Sequence, residues 1–367
     1  LQTIPATKVD WTNHNVEIAE KETVQVATRF TFPGRKHKYS DFEWNWTDFD
    51  GIDYNNKTGE NAIFKFINKK WGAEVDEEFG NFDYLMGADL DFSNQRVVKE
   101  CTDWGKWYLN LTNVDGFRLD AVKHIDADFY EKWIQTLRGE SKKELFAVGE
   151  YWSADVNKLH KYITETEGKI SLFDVPLHYN FFNASNDPNY DMSKILEHTL
   201  VKENPCMAVT FVDNHDTQPG QALQSFVQSW FKSIAYSIIL LRNDGYPCVF
   251  YGDYYGIPHD NIDSEESLKT LMLVRKNRSY GLQHDYFDHN NFIGWTQEGD
   301  EENINSGIAV VISNAGDGYK RMYVGNQNIG KVYIDCLGNC EEEVTIDEEG
   351  CGNFGVKIRS VSVWVKK

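Results

Sequence analysis

The sequence contains no run of 18 apolar residues, so no segment reads as a membrane-spanning helix. It is also short of positive charge. Its 37 Lys and Arg face 57 Asp and Glu, a formal charge of −20, with a pI near 4.9. A nucleic-acid partner needs a basic face, so that class is excluded. A neutral or cationic partner, or bound metal cations, fits instead. There is no G-x-x-x-x-G-K-[ST] phosphate loop, no G-x-S-x-G elbow and no H-E-x-x-H zinc helix. No internal repeat or low-complexity tract is present. Of the six cysteines, Cys101, Cys206 and Cys248 lie in apolar or amphipathic stretches and read as buried thiols. Cys336, Cys340 and Cys351 cluster without a histidine, which argues against zinc and leaves a disulfide open.

What is present is an ordinary soluble composition, 41% hydrophobic and 26% charged, in a chain long enough for more than one domain. Aromatics are plentiful, with 11 Trp and 19 Tyr. They read either as a large core or as flat faces that stack on sugars, and many of them lie in polar stretches. From about residue 100, short apolar runs end in polar residues: 114–120, 145–150, 170–175, 208–213 and 247–251. Amphipathic segments at 127–138, 225–241 and 265–278, with shorter ones at 155–162 and 192–201, separate most of them. That rhythm predicts parallel βα units, of which five are visible and a closed barrel needs eight. Residues 1–95 are rich in Asp, Asn, Gly and aromatics and predict an irregular, short-stranded domain. Beyond about residue 285, alternating β-branched runs predict an antiparallel β module.

One stretch concentrates charge within an apolar run: "GFRLDAVKH", Gly116 to His124. In parallel barrels the reactive groups stand at the carboxyl ends of strands. Asp120, Glu150 and Asp216 each end or follow an apolar run, beside Arg118, Trp152 and His215 respectively. A single such carboxylate reads as a solvated strand end or a helix cap; three in polar-aromatic company weaken that reading. Two carboxylates can cleave a glycosidic bond, one as an ionised nucleophile and the other as a protonated acid. Arg118 predicts a charged Asp120, and the apolar and aromatic neighbours of Glu150 predict a raised pKa there. A third carboxylate can stabilise an oxocarbenium-like state.

These residues resemble a known family. "DGFRLDAVKH", "GEYW" and "FVDNHDTQPGQ" are similar to three motifs of the α-amylases of glycoside hydrolase family 13. The resemblance is to the liquefying bacterial type and its cytoplasmic bacterial relatives, and it extends through "GNFDYLMGADLDF", "FDVPLHYNF" and "YPCVFYGD" to cover essentially the whole chain. It implies an α/β fold, a (β/α)8 TIM barrel with its first three strands missing from this chain. It also implies an irregular β-rich excursion domain (1–95), the C-terminal part of the barrel (96–285) and a C-terminal antiparallel β-sandwich (286–367). It assigns Asp120 as nucleophile, Glu150 as general acid/base and Asp216 as the third carboxylate. Arg118 would orient the nucleophile, while Lys123, His124, Trp152, His215 and Glu78 would line the substrate cleft. The family's retaining mechanism implies a carboxyl separation of about 5–5.5 Å.

The resemblance further implies Ca²⁺ held by Asp83, Asp89 and the His124 carbonyl, a hard cation on oxygen ligands. Liquefying relatives carry an additional metal cluster, matched here by Asp50 and Asp91. Gly72 and Ser93 stand where carboxylates would be expected, so that cluster is expected to be weakened or absent. The expected activity is internal hydrolysis of α-1,4-glucosidic bonds in starch, glycogen or maltodextrins by a monomer, with no nucleic-acid or membrane partner. A maltogenic or transglycosylating relative, or an inactive glucan-binding fragment, are the alternatives. The number of cysteines favours a reducing, cytoplasmic compartment, with secretion as the alternative.

Overall fold

The computed structural model describes all 367 residues. They divide into two compact units, Leu1–Trp152 with Leu159–Leu172, and Ser153–Lys158 with Phe173–Lys367.

The first unit opens with six strands: β1 (Gln2–Asp10), β2 (Asn13–Glu17), β3 (Glu22–Val26), β4 (Phe49–Asn55), β5 (Glu60–Phe66) and β6 (Ala88–Leu90). They form an antiparallel sheet in the order β2-β1-β5-β4-β6, with β3 also paired to β1. The alternation that predicts strands is visible in Ile4 and Ala6, Val24 and Val26, and Phe64 and Phe66, which share one core with Phe49 and Ile52. Gly51 is obligatory in β4: a Cβ there would meet the Trp71 ring at 2.8 Å and the Phe64 carbonyl at 2.9 Å.

The chain continues as α1 (Gln95–Thr112), β7 (Gly116–Leu119), α2 (Ala127–Ser141), β8 (Phe146–Gly149), α3 (Val156–Glu165) and β9 (Ser171–Phe173), of which α3 and β9 lie only partly in this unit. Asn94 caps α1 by accepting the Arg96 amide at 3.0 Å, and Asp126 caps α2 through Asp128. The buried stripe of α1, Val97, Gly105 and Leu109, faces α2, whose Trp133 ring lies over Gly105. β7 pairs in parallel with β8, and β8 with β9.

The second unit begins with α4 (Val175–Asn186), α5 (Leu200–Glu203), β10 (Ala208–Phe211), α6 (Ser229–Leu241), β11 (Tyr246–Cys248), α7 (Tyr251–Tyr255) and α8 (Leu268–Asn277). β10 and β11 are parallel, with Val209 opposite Tyr246 and Phe211 opposite Cys248. Asp174, fully buried, accepts amides from Leu177, Leu200 and Val201 and so caps α4 and α5 together. The chain then forms β12 (Gln283–Tyr286), β13 (Phe292–Gln297), β14 (Ile308–Ser313), β15 (Gly318–Tyr323), β16 (Val332–Asp335), β17 (Val344–Thr345), β18 (Cys351–Val356) and β19 (Ser360–Lys366). Six of these make a sheet ordered β12-β13-β14-β19-β16-β17, and β15 pairs with β18. Ala309, Val311, Met322, Tyr333, Phe354 and Trp364 close one core between the two sheets, which makes the module a sandwich.

The five anticipated parallel strands are all found, each shorter than its apolar run. Four expectations are corrected. The segment 192–201 is not an amphipathic helix but a 3-10 turn at Met192–Lys194 followed by the one-turn α5. α1 and α4 form without having been singled out: α1 is amphipathic but carries Trp104 and Trp107 on its exposed side, and α4 is buried on most sides with polar His178 and Ser185 among its buried residues. Strand β18, "CGNFGV", is glycine-rich and was masked by that composition. No disulfide joins any two of the cysteines, and Cys206 and Cys248 are exposed rather than buried.

Candidate active site

In the first unit the polar stretch is organised by the ends of β7 and β8. Gly116 lets the two strands approach, since a Cβ there would lie 2.4 Å from the Phe146 carbonyl. The strand ends are clamped on both sides: the Glu150 amide donates to Leu119 O at 2.9 Å, and the Val122 amide donates to Glu150 O at 3.1 Å. Between them the chain turns through Ala121 at φ 48°, a left-handed conformation that a non-glycine residue adopts only where its surroundings enforce it. Asp120 and Glu150 therefore leave neighbouring parallel strands at the same end.

One guanidinium joins them. Arg118 Nη1 pairs with Asp120 Oδ1, and Nη2 with Glu150 Oε2 at 2.7 Å. The two carboxylates differ in setting: the Asp120 side chain is 73% exposed and that of Glu150 9%. The sequence reading gave Arg118 to Asp120 alone, whereas the structure has it holding both acids. Next along the chain, the Tyr151 hydroxyl donates to the buried Asp76 at 2.5 Å. Asp76 in turn orders the following loop, accepting the Glu78 amide at 2.7 Å while its own amide donates to Lys123 O at 2.9 Å.

Lys123 and His124 are both buried. Lys123 Nζ pairs with Glu78 at 2.9 Å and lies over the Phe82 ring. His124 Nδ1 donates to the Phe82 carbonyl at 2.8 Å, and burial lowers its pKa to about 4, so the imidazole is neutral. Glu78 is part-exposed and Trp152 half-buried. Asp76 and Tyr151 were missed from sequence. The only signal for them was an acid preceding a pair of glutamates and a tyrosine following Glu150.

In the second unit, His215 and Asp216 lie in the loop after β10. The ring Nε2 stands 3.2 Å from the Asp216 carboxylate, and the His215 side chain is 66% exposed. Asp213, Lys232 and Asp253 form a buried ionic group beneath this loop. The sequence did hold a signal for it, a lone lysine inside the apolar run "SWFKSIAYSIILL".

The first unit also holds Asp50, Asp83, Asp89 and Asp91. Burial, then the charges of Asp91 and Asp83, push Asp50 up to about 8. Burial raises Asp83 to about 6 and Asp89 well above its ordinary value. Asp50 Oδ1 and Asp89 Oδ2 are buried without a hydrogen-bond partner. Protein cations reach only the margin: Lys69 pairs with Asp91, which also accepts the Ser93 hydroxyl, and Arg96 pairs with Asp48 at 2.6 Å. The Gly72 amide donates to Asp83 at 2.7 Å. No trio of acidic, imidazole or thiol side chains closes round one point. A cation here would therefore complete its shell with backbone oxygen and water, which suits a hard ion such as calcium. Under-compensated buried carboxylates with orphaned oxygens fit such a group.

Comparison with known proteins adds an independent line. Residues 9–309 match the family described as alpha amylase, catalytic domain, and residues 308–365 match alpha-amylase C-terminal. An alpha-amylase of Geobacillus stearothermophilus is 52% identical over 99% of this chain and 67% of its own length. The cytoplasmic alpha-amylase of Escherichia coli is 42% identical over 96% of this chain and 78% of its own. A solved Anoxybacillus alpha-amylase superposes with a TM-score of 0.60 at 19% identity, over 76% of this chain and 65% of that one, a likeness of fold.

Proposed function

This chain belongs to the alpha-amylase family of glycoside hydrolases, and from that premise we propose how its residues cut the bond. Its α/β fold is that of a (β/α)8 catalytic domain followed by a C-terminal β domain. It hydrolyses α-1,4-glucosidic bonds within an α-glucan. In our reading Asp120 is the nucleophile, exposed to incoming sugar and oriented by its pair with Arg118. Its oxygen bonds to the anomeric carbon as the glycosidic bond breaks, and the departing oxygen takes the Glu150 proton. Glu150 then removes a proton from water, whose oxygen displaces Asp120 and restores the free enzyme. Asp216 is the third carboxylate, stabilising the oxocarbenium-like state, with His215 as its companion toward sugar hydroxyls. Glu78, Lys123, His124 and Trp152 complete the substrate-facing set.

The observation that supports this most is the single guanidinium shared by Asp120 and Glu150 at the ends of adjacent parallel strands. The test separates the two acids. Asp120→Asn abolishes cleavage of starch and of aryl maltooligosaccharides alike, with the melting temperature unchanged. Glu150→Gln loses starch cleavage but still releases the aryl group of activated substrates in a burst, because that leaving group needs no proton, and then stalls at the covalent intermediate until an anionic nucleophile such as azide replaces water. Wild-type-like starch turnover by Asp120→Asn would sink the assignment.

We assign Ca²⁺ to Asp83 and Asp89 with the His124 carbonyl, supported by the under-compensated carboxylates. When bound, that ion supplies charge neutralisation and ties together the segments that carry its ligands. The weakened second cluster is supported by Lys69, whose ammonium already occupies Asp91. We divide the chain functionally into an excursion domain (1–95), barrel (96–285) and β-sandwich (286–367), acting as a monomer. No helix is long and apolar enough to cross a membrane. A cytoplasmic location is our reading, supported by the cysteine content without disulfides and the cytoplasmic Escherichia coli relative.

A further inference from the structure

The His215–Asp216 turn rests on a line of polar contacts that ends at a buried ammonium. The Asn214 side-chain oxygen accepts the amides of Asp216 and Thr217, both at 2.9 Å. The Asn214 amide donates to Thr217 Oγ1 at 3.1 Å, and the Thr217 hydroxyl donates to Asp213 Oδ1 at 3.0 Å. Asp213 also accepts the Val227 amide at 3.2 Å, which closes the far end of the loop. Its other oxygen lies 3.3 Å from Lys232 Nζ. Lys232 also pairs with Asp253, and the Tyr236 hydroxyl donates to the second Asp253 oxygen at 2.6 Å.

Lys232 is 8% exposed, on a helix whose neighbouring side chains Phe231, Ile234 and Ala235 are wholly buried. Packing alone would be served by an apolar residue of the same length, because a buried ammonium is costly without partners. Burial lowers the Lys232 pKa, but Asp253 and Asp213 outweigh it, so the ammonium stays charged. The carboxylates are doubly engaged, and one end of the arrangement is the turn that carries Asp216.

We infer that Lys232 is a positioning residue for bond cleavage: it fixes Asp213 and, through Thr217 and Asn214, sets the direction of the Asp216 carboxylate. This rests on the reading of Asp216 as the third catalytic carboxylate.

The experiment compares wild type, Lys232→Met, Asp216→Asn and the double variant. Turnover is measured on an activated aryl maltooligosaccharide, and active sites are counted with a tight-binding pseudo-oligosaccharide inhibitor. In the wild-type background Lys232→Met lowers kcat per titrated site by about tenfold or more, with KM changed less than about twofold. In the Asp216→Asn background the same substitution lowers kcat no further, because the group it positions is already disabled. A lysine serving only the core would lower the melting temperature and leave kcat per folded molecule alone, and that result overturns the inference. An equal loss in both backgrounds also overturns it, since Lys232 would then act elsewhere. Should Lys232→Met not fold, Asp213→Asn, which keeps side-chain volume, takes its place with the same outcomes. Wild-type kcat in Asp216→Asn alone overturns the reading of Asp216 on which this rests.

Discussion

The two units meet their buried carboxylates with different partners, although burial raises Asp213 to about 7 and Asp174 to about 6 in the second much as it raises Asp83 in the first. In the second, Asp213 and Asp253 surround Lys232 and receive hydroxyl or amide donors, while Asp174 accepts three amides. In the first, Asp50, Asp83 and Asp89 crowd together in a desolvated setting, while Lys69 and Arg96 pair directly with Asp91 and Asp48. One unit supplies its own cation; the other leaves negative charge that an outside cation can neutralise. Stability of the first should therefore depend on ions in solution, and that of the second should not.

The largest test removes the internal cation. Lys232→Met leaves two buried carboxylates facing each other and costs about 3–5 kcal/mol, read by urea unfolding. Added calcium does not restore it; restoration would erase the distinction between the units. Next in size, a chelator lowers stability by about 3 kcal/mol relative to calcium at a hundredfold above its Kd. No response to chelator would remove the Asp83–Asp89 assignment. Tyr236→Phe takes one charge-assisted donor from Asp253 and costs about 1.5–3 kcal/mol, independent of calcium.

The remaining tests sharpen the contrast. With metal stripped, Asp50 titrates near 8 in the folded chain against an ordinary value of 3.8. The folded state then binds more protons than the unfolded chain, so stability is greatest below about pH 4 for this group and is lost as pH rises toward 8. Calcium should flatten that slope, as unfolding curves at pH 5 and pH 8 with and without chelator would reveal. The smallest effect concerns Lys69: Lys69→Met makes the cluster more negative and enlarges the chelator-induced drop by about 1 kcal/mol.

Much of this was legible in the sequence because it rests on local period. Short apolar runs placed β7, β8 and β10, a β-branched run placed β14, and the acids after the parallel strands followed from where barrels carry chemistry. The motifs around Asp120, Glu150 and Asp216 were recognisable as residue types in order. Asp76 and Tyr151 were not, because their pairing spans 75 residues and neither stands in a patterned run. Helix α4 was missed because it is buried on most sides and mixes His178 and Ser185 into its buried face, which blurs its period. The length of 192–201 suggested a helix, yet Asp191, capping by accepting the Ser193 amide, and Thr199, accepting the Lys202 amide, end and restart the chain within ten residues.

The sequence by itself determined the family and the order of the modules and singled out the three carboxylates as candidates, since these live in short contiguous strings. Only the tertiary structure decided which charges meet. Arg118 stands two residues from Asp120, so that pair was readable, but its second partner Glu150 lies 32 residues on and reaches it because β7 and β8 run side by side. Lys232 likewise stands alone in an apolar helix, and only folding brings Asp213 and Asp253 to it. The physical reason is common to both: a charge out of water is tolerated only beside its partner, and folding, not sequence proximity, chooses that partner.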